Sequence, residues 1–405
     1  MGLFDRFEGL SRALDGVKTR GANPFGVRMD KVVSATEAVV GGRPTILAGT
    51  NNYLGLTFEP NCIEAAVQAL DQFGTGTTGS RIANGSYDGH ARLEEALAAF
   101  YGRRHAIVFT TGYQANLGII STIAGPGDYL IIDADCHASI YDGCRLGQAT
   151  VIRFKHNDPA DLDKRLKRLD GDKGNKVIVV EGIYSMLGDQ APLAEIAEIK
   201  ARHGAYLLVD EAHALGVLGT RGRGLAAAAA ADQAVDFVTG TFSKSLGAIG
   251  GFCVSNHPQF DILRVASRPY MFTASLPPSI VASVLAALET LEKRPELRAK
   301  LWANVETLYN GLQRRGFILG PQKGPVVAVH LPSPELAVAT WQTLLASGVY
   351  VNLALPPATP NGASLLRCSV CAAHTRKQLE TIIDLLTDIA YSNGALQPPA
   401  RAAVG

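Results

Sequence analysis

Lys244 stands in the run Gly240-Thr241-Phe242-Ser243-Lys244-Ser245-Leu246-Gly247, just after the apolar, strand-like Asp236-Phe237-Val238. Upstream, Val209-Asp210-Glu211-Ala212-His213 closes another apolar strand. An amine past one strand end and an Asp-x-x-His past another are the parts needed to hold pyridoxal phosphate (PLP). The Lys amine forms a Schiff base with the aldehyde. The Asp carboxylate pairs with the pyridinium nitrogen and keeps it protonated, so that the ring can drain electrons from a carbanion. Hydroxyls beside the Lys, on Thr241 and Ser243, can donate to the cofactor phosphate. Taken singly, each residue has an ordinary role. A Lys is mostly a solvated surface charge, and a strand-end Asp is often a helix cap. Their order and shared context select the cofactor reading.

Two further runs follow the same logic. Thr111-Gly112-Tyr113-Gln114-Ala115-Asn116 joins a strand to a helix. Gly112 lets backbone approach a phosphate, and the helix N-terminus offers free amides to it. Asp135-Cys136-His137-Ala138-Ser139 follows the next strand, where His137 can stack on a planar ring. Standing alone, that His would serve equally well as a helix cap or a core residue.

Three motif matches point elsewhere, and their contexts fail. Asp210-Glu211-Ala212-His213 spells the acidic box of some helicases, but no G-x-x-x-x-G-K-[ST] phosphate loop accompanies it. Gly74-Thr75-Gly76-Thr77-Thr78-Gly79 fits the dinucleotide fingerprint literally, yet it follows an amphipathic helix, Ile63 to Phe73, rather than a strand. Cys368-Ser369-Val370-Cys371 has the spacing of half a zinc site but no second ligand pair, so buried thiols are expected and no metal.

The elements that must position these residues belong to an α/β protein. Short apolar runs recur at Ala106-Thr110, Tyr129-Ile132, Val151-Phe154, Val177-Val180, Tyr206-Val209, Phe237-Thr239 and Phe252-Ser255. Helical patterns such as Tyr113 to Ile123, Leu162 to Leu169 and Leu193 to His203 separate most of them. Continuous apolar strands alternating with helices predict a mostly parallel sheet covered on both faces. Ligands of such sheets gather at the carboxyl ends of the strands, where Asp210 and Lys244 fall. The alanine tract Ala226 to Ala231 reads as helix. After Pro277 come long helices over Ser279 to Arg315. Strand Val326-Leu331, helix Glu335-Ser347, strands Val349-Leu353 and Leu365-Ser369 and helix Thr375-Ala390 follow. These predict a smaller α+β domain. The expected division is an N-terminal arm (1–45), a large PLP-binding domain (46–280), a small C-terminal domain (281–395) and a flexible tail (396–405).

Composition fits a soluble enzyme. A chain of 405 residues has the length for two to three domains. Its formal charge of +1 creates no field for nucleic acid or anionic membrane. Met1-Gly2-Leu3-Phe4-Asp5-Arg6 is a mixed-charge amphipathic start, not a signal peptide. No apolar run approaches the roughly 20 residues of a membrane span. The six Cys show no secreted pattern, so free thiols in a reducing cytoplasm are expected.

Asn51-Asn52-Tyr53-Leu54-Gly55-Leu56, Thr111-Gly112-Tyr113, Asp135-Cys136-His137-Ala138-Ser139, Glu181-Gly182-Ile183-Tyr184-Ser185-Met186, Val209-Asp210-Glu211-Ala212-His213 and Thr241-Phe242-Ser243-Lys244 stand in this order. In them the chain resembles the α-oxoamine synthases. These are a branch of the fold-type-I, aspartate aminotransferase-like PLP-dependent transferases. The resemblance implies a mostly parallel seven-stranded sheet, a smaller C-terminal domain and a homodimer with its active site at the interface. It implies that Lys244 carries the cofactor and moves the α-proton, that Asp210 pairs with the pyridinium, and that His213 hydrogen-bonds the ring O3′. His137 would stack on the ring and touch the substrate carboxylate. Gly112, Tyr113, Thr241 and Ser243, with Thr273 from the partner subunit, would hold the phosphate, and Ser185 would join the cofactor site. Asn52 and Arg367 would face the amino-acid carboxylate, which a planar Arg fork suits.

Gly79-Ser80-Arg81, His137 to Cys144, Arg268 to Pro278 and Pro357-Ala358-Thr359-Pro360 resemble one bacterial branch of that family. The branch condenses L-serine with a long-chain acyl-CoA (palmitoyl-CoA), giving 3-ketodihydrosphingosine, CoA and CO2 at the first step of sphingolipid biosynthesis. The alternative is a sibling of the 8-amino-7-oxononanoate synthase or 2-amino-3-ketobutyrate ligase type, using another amino acid or a shorter acyl-CoA. The implied location is cytoplasmic, either free or in peripheral contact with the inner membrane. Two positions depart from the pattern. Leu355 stands where that branch has an Arg before Pro-Pro-Ala-Thr-Pro, which throws weight onto Arg367. Cys136 stands where a Ser commonly precedes the stacking His, a mild change.

Overall fold

The seven apolar runs form the seven strands of one sheet. In the computed structural model, which describes residues 2–18 and 26–397, they are β1 (His105–Phe109), β2 (Tyr129–Asp133), β3 (Thr150–Phe154), β4 (Lys176–Glu181), β5 (Tyr206–Asp210), β6 (Phe237–Thr241) and β7 (Gly251–Ser255). Their order across the sheet is β1-β7-β6-β5-β4-β2-β3. β7 runs antiparallel to β1 and β6, and every other pairing is parallel. The central strands are buried on both faces. Val177, Ile178, Val179 and Val180 are at most 2% exposed, as are Leu207, Leu208 and Val209. Each such side chain taken from water contributes about 1.5–3 kcal/mol. The register sets Glu181 beside Asp210, and Asp210 beside Thr239, along the carboxyl edge.

Helices join the strands where the period changes. Gly112–Ile123 follows β1 and is capped by the Thr111 hydroxyl, which accepts from Gln114 N–H at 3.0 Å. Ala138–Leu146 follows β2, with His137 as its cap. The alanine tract departs from expectation, because helix spans only Leu225–Ala228. The chain then turns through Ala230 at φ +53°, a left-handed conformation that a helix cannot continue through.

The chain divides into two units. One runs Asn51–Trp302 and contains the seven-stranded sheet; the other takes the chain up to Thr50 and from Ala303 onward. The observed division therefore differs from the boundaries at 45/46 and 280/281. Helix Pro278–Lys293 stays with the sheet because Val281, Val284, Leu288 and Leu291 are buried and it packs on Pro60–Phe73. Much of the expected arm is strand. Met29–Val32, Glu37–Val40 and Arg43–Leu47 pair antiparallel, and Val349–Tyr350 joins parallel to the last. The single strand expected over Val349-Leu353 is two. Asn352–Ala354 pairs instead with Ser364–Ser369, beside Val326–Leu331. Residues 19–25 of the arm and 398–405 of the tail lie outside the described residues. Among the described residues no helix is long and apolar enough to cross a membrane.

Candidate active site

A cavity of about 320 Å³ opens at the carboxyl ends of β4, β5 and β6. Lys244, Asp210, His213, His137, Gly112, Tyr113, Thr241 and Ser243 all line it, together with Asn116, Ser139 and Glu181. Asp210 ends β5 and is 5% exposed. Its Oδ2 accepts from Asn116 Nδ2 at 2.7 Å and its Oδ1 from Ala212 N–H at 2.9 Å. Two donors fix the orientation of the carboxylate, which lines the cavity where a ring N–H can meet it. Its sequence neighbour Glu211 has another task. Buried, it accepts from Leu225 N–H at 2.9 Å and Ala226 N–H at 2.8 Å. Burial pushes its carboxyl up to about 7.

Lys244 follows β6 on a turn closed by Gly247 N–H to the Lys244 carbonyl at 3.0 Å. Its charge favours the neutral form of His137, adding to the effect of burial, and at Glu181 it only partly opposes burial and Asp210, which raise that carboxyl. His137 has its Nδ1 2.8 Å from Ser139 Oγ and 3.2 Å from Ser139 N. Enclosure by surrounding protein holds its pKa below 6.5, outweighing the opposing pull of the Asp210 carboxylate. The His137 backbone N–H donates to Glu181 Oε1. Glu181, 3% exposed, is pushed well above the usual carboxylate range by burial and then by Asp210.

Another part of the lining has the makings of a phosphate cradle. Gly112 opens its helix against Thr241, where a Cβ would come within 2.7 Å of the Thr241 Cβ. Only Gly permits that approach. Thr241 Oγ1 donates to the Gly250 carbonyl at 2.9 Å, accepts from Ser243 N–H at 3.2 Å and lies 2.9 Å from Ser243 Oγ. Helix-terminal amides and two hydroxyls converge there. With a lysine amine, a strand-end carboxylate and this cradle, the donor set fits PLP.

Four expected residues do not line this cavity. Ser185 lies on the loop after β4. Thr273 accepts from Gln114 Nε2 at 3.2 Å. Asn52 is 8% exposed and donates to Thr57 Oγ1 at 2.7 Å, while its Oδ1 is buried without a partner. Arg367 belongs to the other unit, 7% exposed on Ser364–Ser369, with Nη1 3.4 Å from Ser369 Oγ. The sequence reading assigned no role to Asn116, Ser139, Glu181 or Tyr53. Tyr53, fully buried, places its hydroxyl 2.6 Å from His213 Nδ1. Asn116 had a signal: it lies four residues beyond Gly112, on the same helix face. Glu181 had one too, as a charged residue ending an apolar strand.

Residues 43–386 match the aminotransferase class I and II family. The chain is 60% identical over 402 residues to the serine palmitoyltransferase of Caulobacter vibrioides, covering 99% of this chain and all of that one. It is 52% identical over 389 residues to the serine palmitoyltransferase of Sphingomonas paucimobilis, covering 95% and 92%. A serine palmitoyltransferase solved at high resolution with its PLP internal aldimine superposes with a TM-score of 0.96 at 50% identity, covering 98% of this chain and all of that one. The chain belongs to the aminotransferase class I and II family, and within it to the α-oxoamine synthases close to bacterial serine palmitoyltransferase.

Proposed function

We propose that this α-oxoamine synthase is PLP-dependent and condenses L-serine with a long-chain acyl-CoA, palmitoyl-CoA. The products are 3-ketodihydrosphingosine, CoA and CO2, at the entry to sphingolipid biosynthesis. The observation that carries the reading is the convergence of Lys244, Asp210 and His137 on one cavity with Gly112, Thr241 and Ser243. Bound PLP supplies an aldehyde that condenses with amines and a protonated ring that withdraws electrons from the serine Cα.

The chain's own residues then divide the work. Lys244 holds the cofactor, yields its place to the serine amine, and as a neutral amine lifts the Cα proton and later returns one. Asp210, already held by two donors, keeps the ring nitrogen protonated. His213, braced by Tyr53, donates to the ring oxygen. Gly112, Tyr113, Thr241 and Ser243 bind the phosphate. Ser185 joins the cofactor site, and Thr273 reaches the phosphate of the partner in a homodimer. His137 covers the ring face and, with Asn52 and Arg367, binds the serine carboxylate. Held there, the carboxylate leaves as CO2 only after the new carbon–carbon bond has formed and CoA has departed. The enzyme is cytoplasmic, with peripheral contact to the inner membrane.

The test is a steady-state comparison of kcat/KM for L-serine, L-alanine and glycine against acyl-CoA esters of increasing chain length. Serine with palmitoyl-CoA is expected to exceed every other pairing. A preference for alanine or glycine, or for a short acyl chain, would assign the chain to a sibling activity.

A further inference from the structure

Behind the cavity a line of buried side chains runs from Thr239 to His137. Asn116, Ser139 and Thr239 are at most 3% exposed, so water does not compete for their hydrogen bonds. Hydrogen positions along the line follow from counting donors. Asp210 Oδ2 lies 2.7 Å from Asn116 Nδ2. The carboxylate accepts there, as it does from Ala212 N–H on its other oxygen, so the amide nitrogen faces it. Thr239 Oγ1 donates to Asn116 Oδ1 at 2.9 Å, which requires the same orientation. The second amide hydrogen goes to Ser139 Oγ at 2.9 Å. The Ser139 hydroxyl hydrogen is then directed at His137 Nδ1, 2.8 Å away. The Ser139 backbone N–H donates to that same Nδ1 at 3.2 Å.

We propose that Asn116 and Ser139 are positioning residues that fix His137 as the neutral tautomer with Nδ1 bare and the ring proton on Nε2. The proposal rests on the assignment of this cavity as the cofactor and serine site. The amide hydrogen that Asp210 does not take, the Ser139 hydroxyl and the Ser139 backbone N–H all point toward the imidazole. Protonating Nδ1 would break the hydroxyl bond and the amide bond together, and Asn116 cannot turn to relieve the conflict because Asp210 holds it. His137 is thereby a fixed donor through Nε2 for an anionic group such as the serine carboxylate. The Asp210 that faces the cofactor ring orients, through one amide, the histidine that faces its substrate. The depressed pKa of His137 has the same sense.

The test reads the ring directly. In PLP-loaded enzyme labelled with 15N-histidine, long-range proton–nitrogen correlations distinguish the tautomers, and His137→Phe identifies the signal. We expect an Nε2–H ring titrating below its ordinary range. Ser139→Ala leaves only the backbone donor and should raise the titration midpoint by about 0.5–1 pH unit, a three- to tenfold gain in proton affinity. Ser139→Thr keeps the hydroxyl and should restore the wild-type midpoint. An Nδ1–H ring in the wild type, which needs no variant to fold, would overturn the proposal. So would a midpoint unmoved in Ser139→Ala. Product formation from serine is read separately. An Nε2–H ring in an enzyme that ignores serine would remove the substrate assignment and leave the tautomer intact.

Discussion

Arg367 and Leu355 make amino-acid selection a question about single side chains. With Leu355 in place of the Arg that the resemblance leads one to expect, the proposed function assigns the serine carboxylate to the Arg367 guanidinium. A charge-assisted, partly desolvated contact of this kind is worth roughly 1.5–3 kcal/mol. Arg367→Ala should therefore weaken serine binding about 10- to 150-fold. The check is titration of L-serine against the absorbance of the bound cofactor. A near-normal Kd in folded, PLP-loaded Arg367→Ala would assign the carboxylate to His137 and Asn52. At this scale the sequence was most legible where chemistry sits at a strand end. Lys244, Asp210, His213, His137, Gly112, Tyr113, Thr241 and Ser243 line one cavity. Asn116, Ser139 and Glu181 were not legible, because their tasks depend on which hydrogen points where between elements distant in sequence.

Three strand ends are tied together by one imidazole. His156, just past β3, places Nδ1 2.8 Å from Asp133 Oδ1 at the end of β2 and Nε2 2.6 Å from Asp189 Oδ2 beyond β4. Asp135 lies 3.9 Å away, and Tyr184 meets the ring edge-on at 4.5 Å. These elements lead to His137 and carry Ser185. Burial opposes the charged ring, but its hydrogen bonds to the Asp133 and Asp189 carboxylates outweigh it and raise its pKa from 6.5 to about 10. A raised pKa stabilises the fold fully below the unfolded value, and the gain is lost as pH climbs through the folded one. His156→Leu leaves two carboxyls without their cation and should cost about 3–5 kcal/mol below pH 6.5. The Tm gap to wild type should narrow steadily toward pH 10; a gap constant over that range would show that the imidazole acts by packing alone. Element positions were read well from period and strand-end punctuation, since buried parallel strands leave an unbroken apolar run. The alanine tract misled, because helix propensity there gives way to a left-handed turn at Ala230.

For the whole molecule, the mostly parallel character of the sheet follows from alternating strand and helix patterns, whereas the strand order, the antiparallel β7 and the division of the chain do not. Residues before Thr50 join the C-terminal unit through strand pairing between Arg43–Leu47 and Val349–Tyr350. A pairing that distant in sequence leaves no local periodic trace. Assembly follows from the proposed reach of Thr273. If it serves the partner's phosphate, the active species is a homodimer. Analytical ultracentrifugation at assay concentration should then find dimer, and a fully active monomer would refute it. The central claim is a condensation that releases carboxyl carbon, and its most direct test is stoichiometric. L-serine labelled in the carboxyl carbon is supplied with palmitoyl-CoA, and labelled CO2 is counted against free CoA. The account predicts one CO2 per CoA together with 3-ketodihydrosphingosine, and neither gas nor thiol above background from Lys244→Ala. CoA released without labelled CO2, or undiminished turnover in Lys244→Ala, would contradict it.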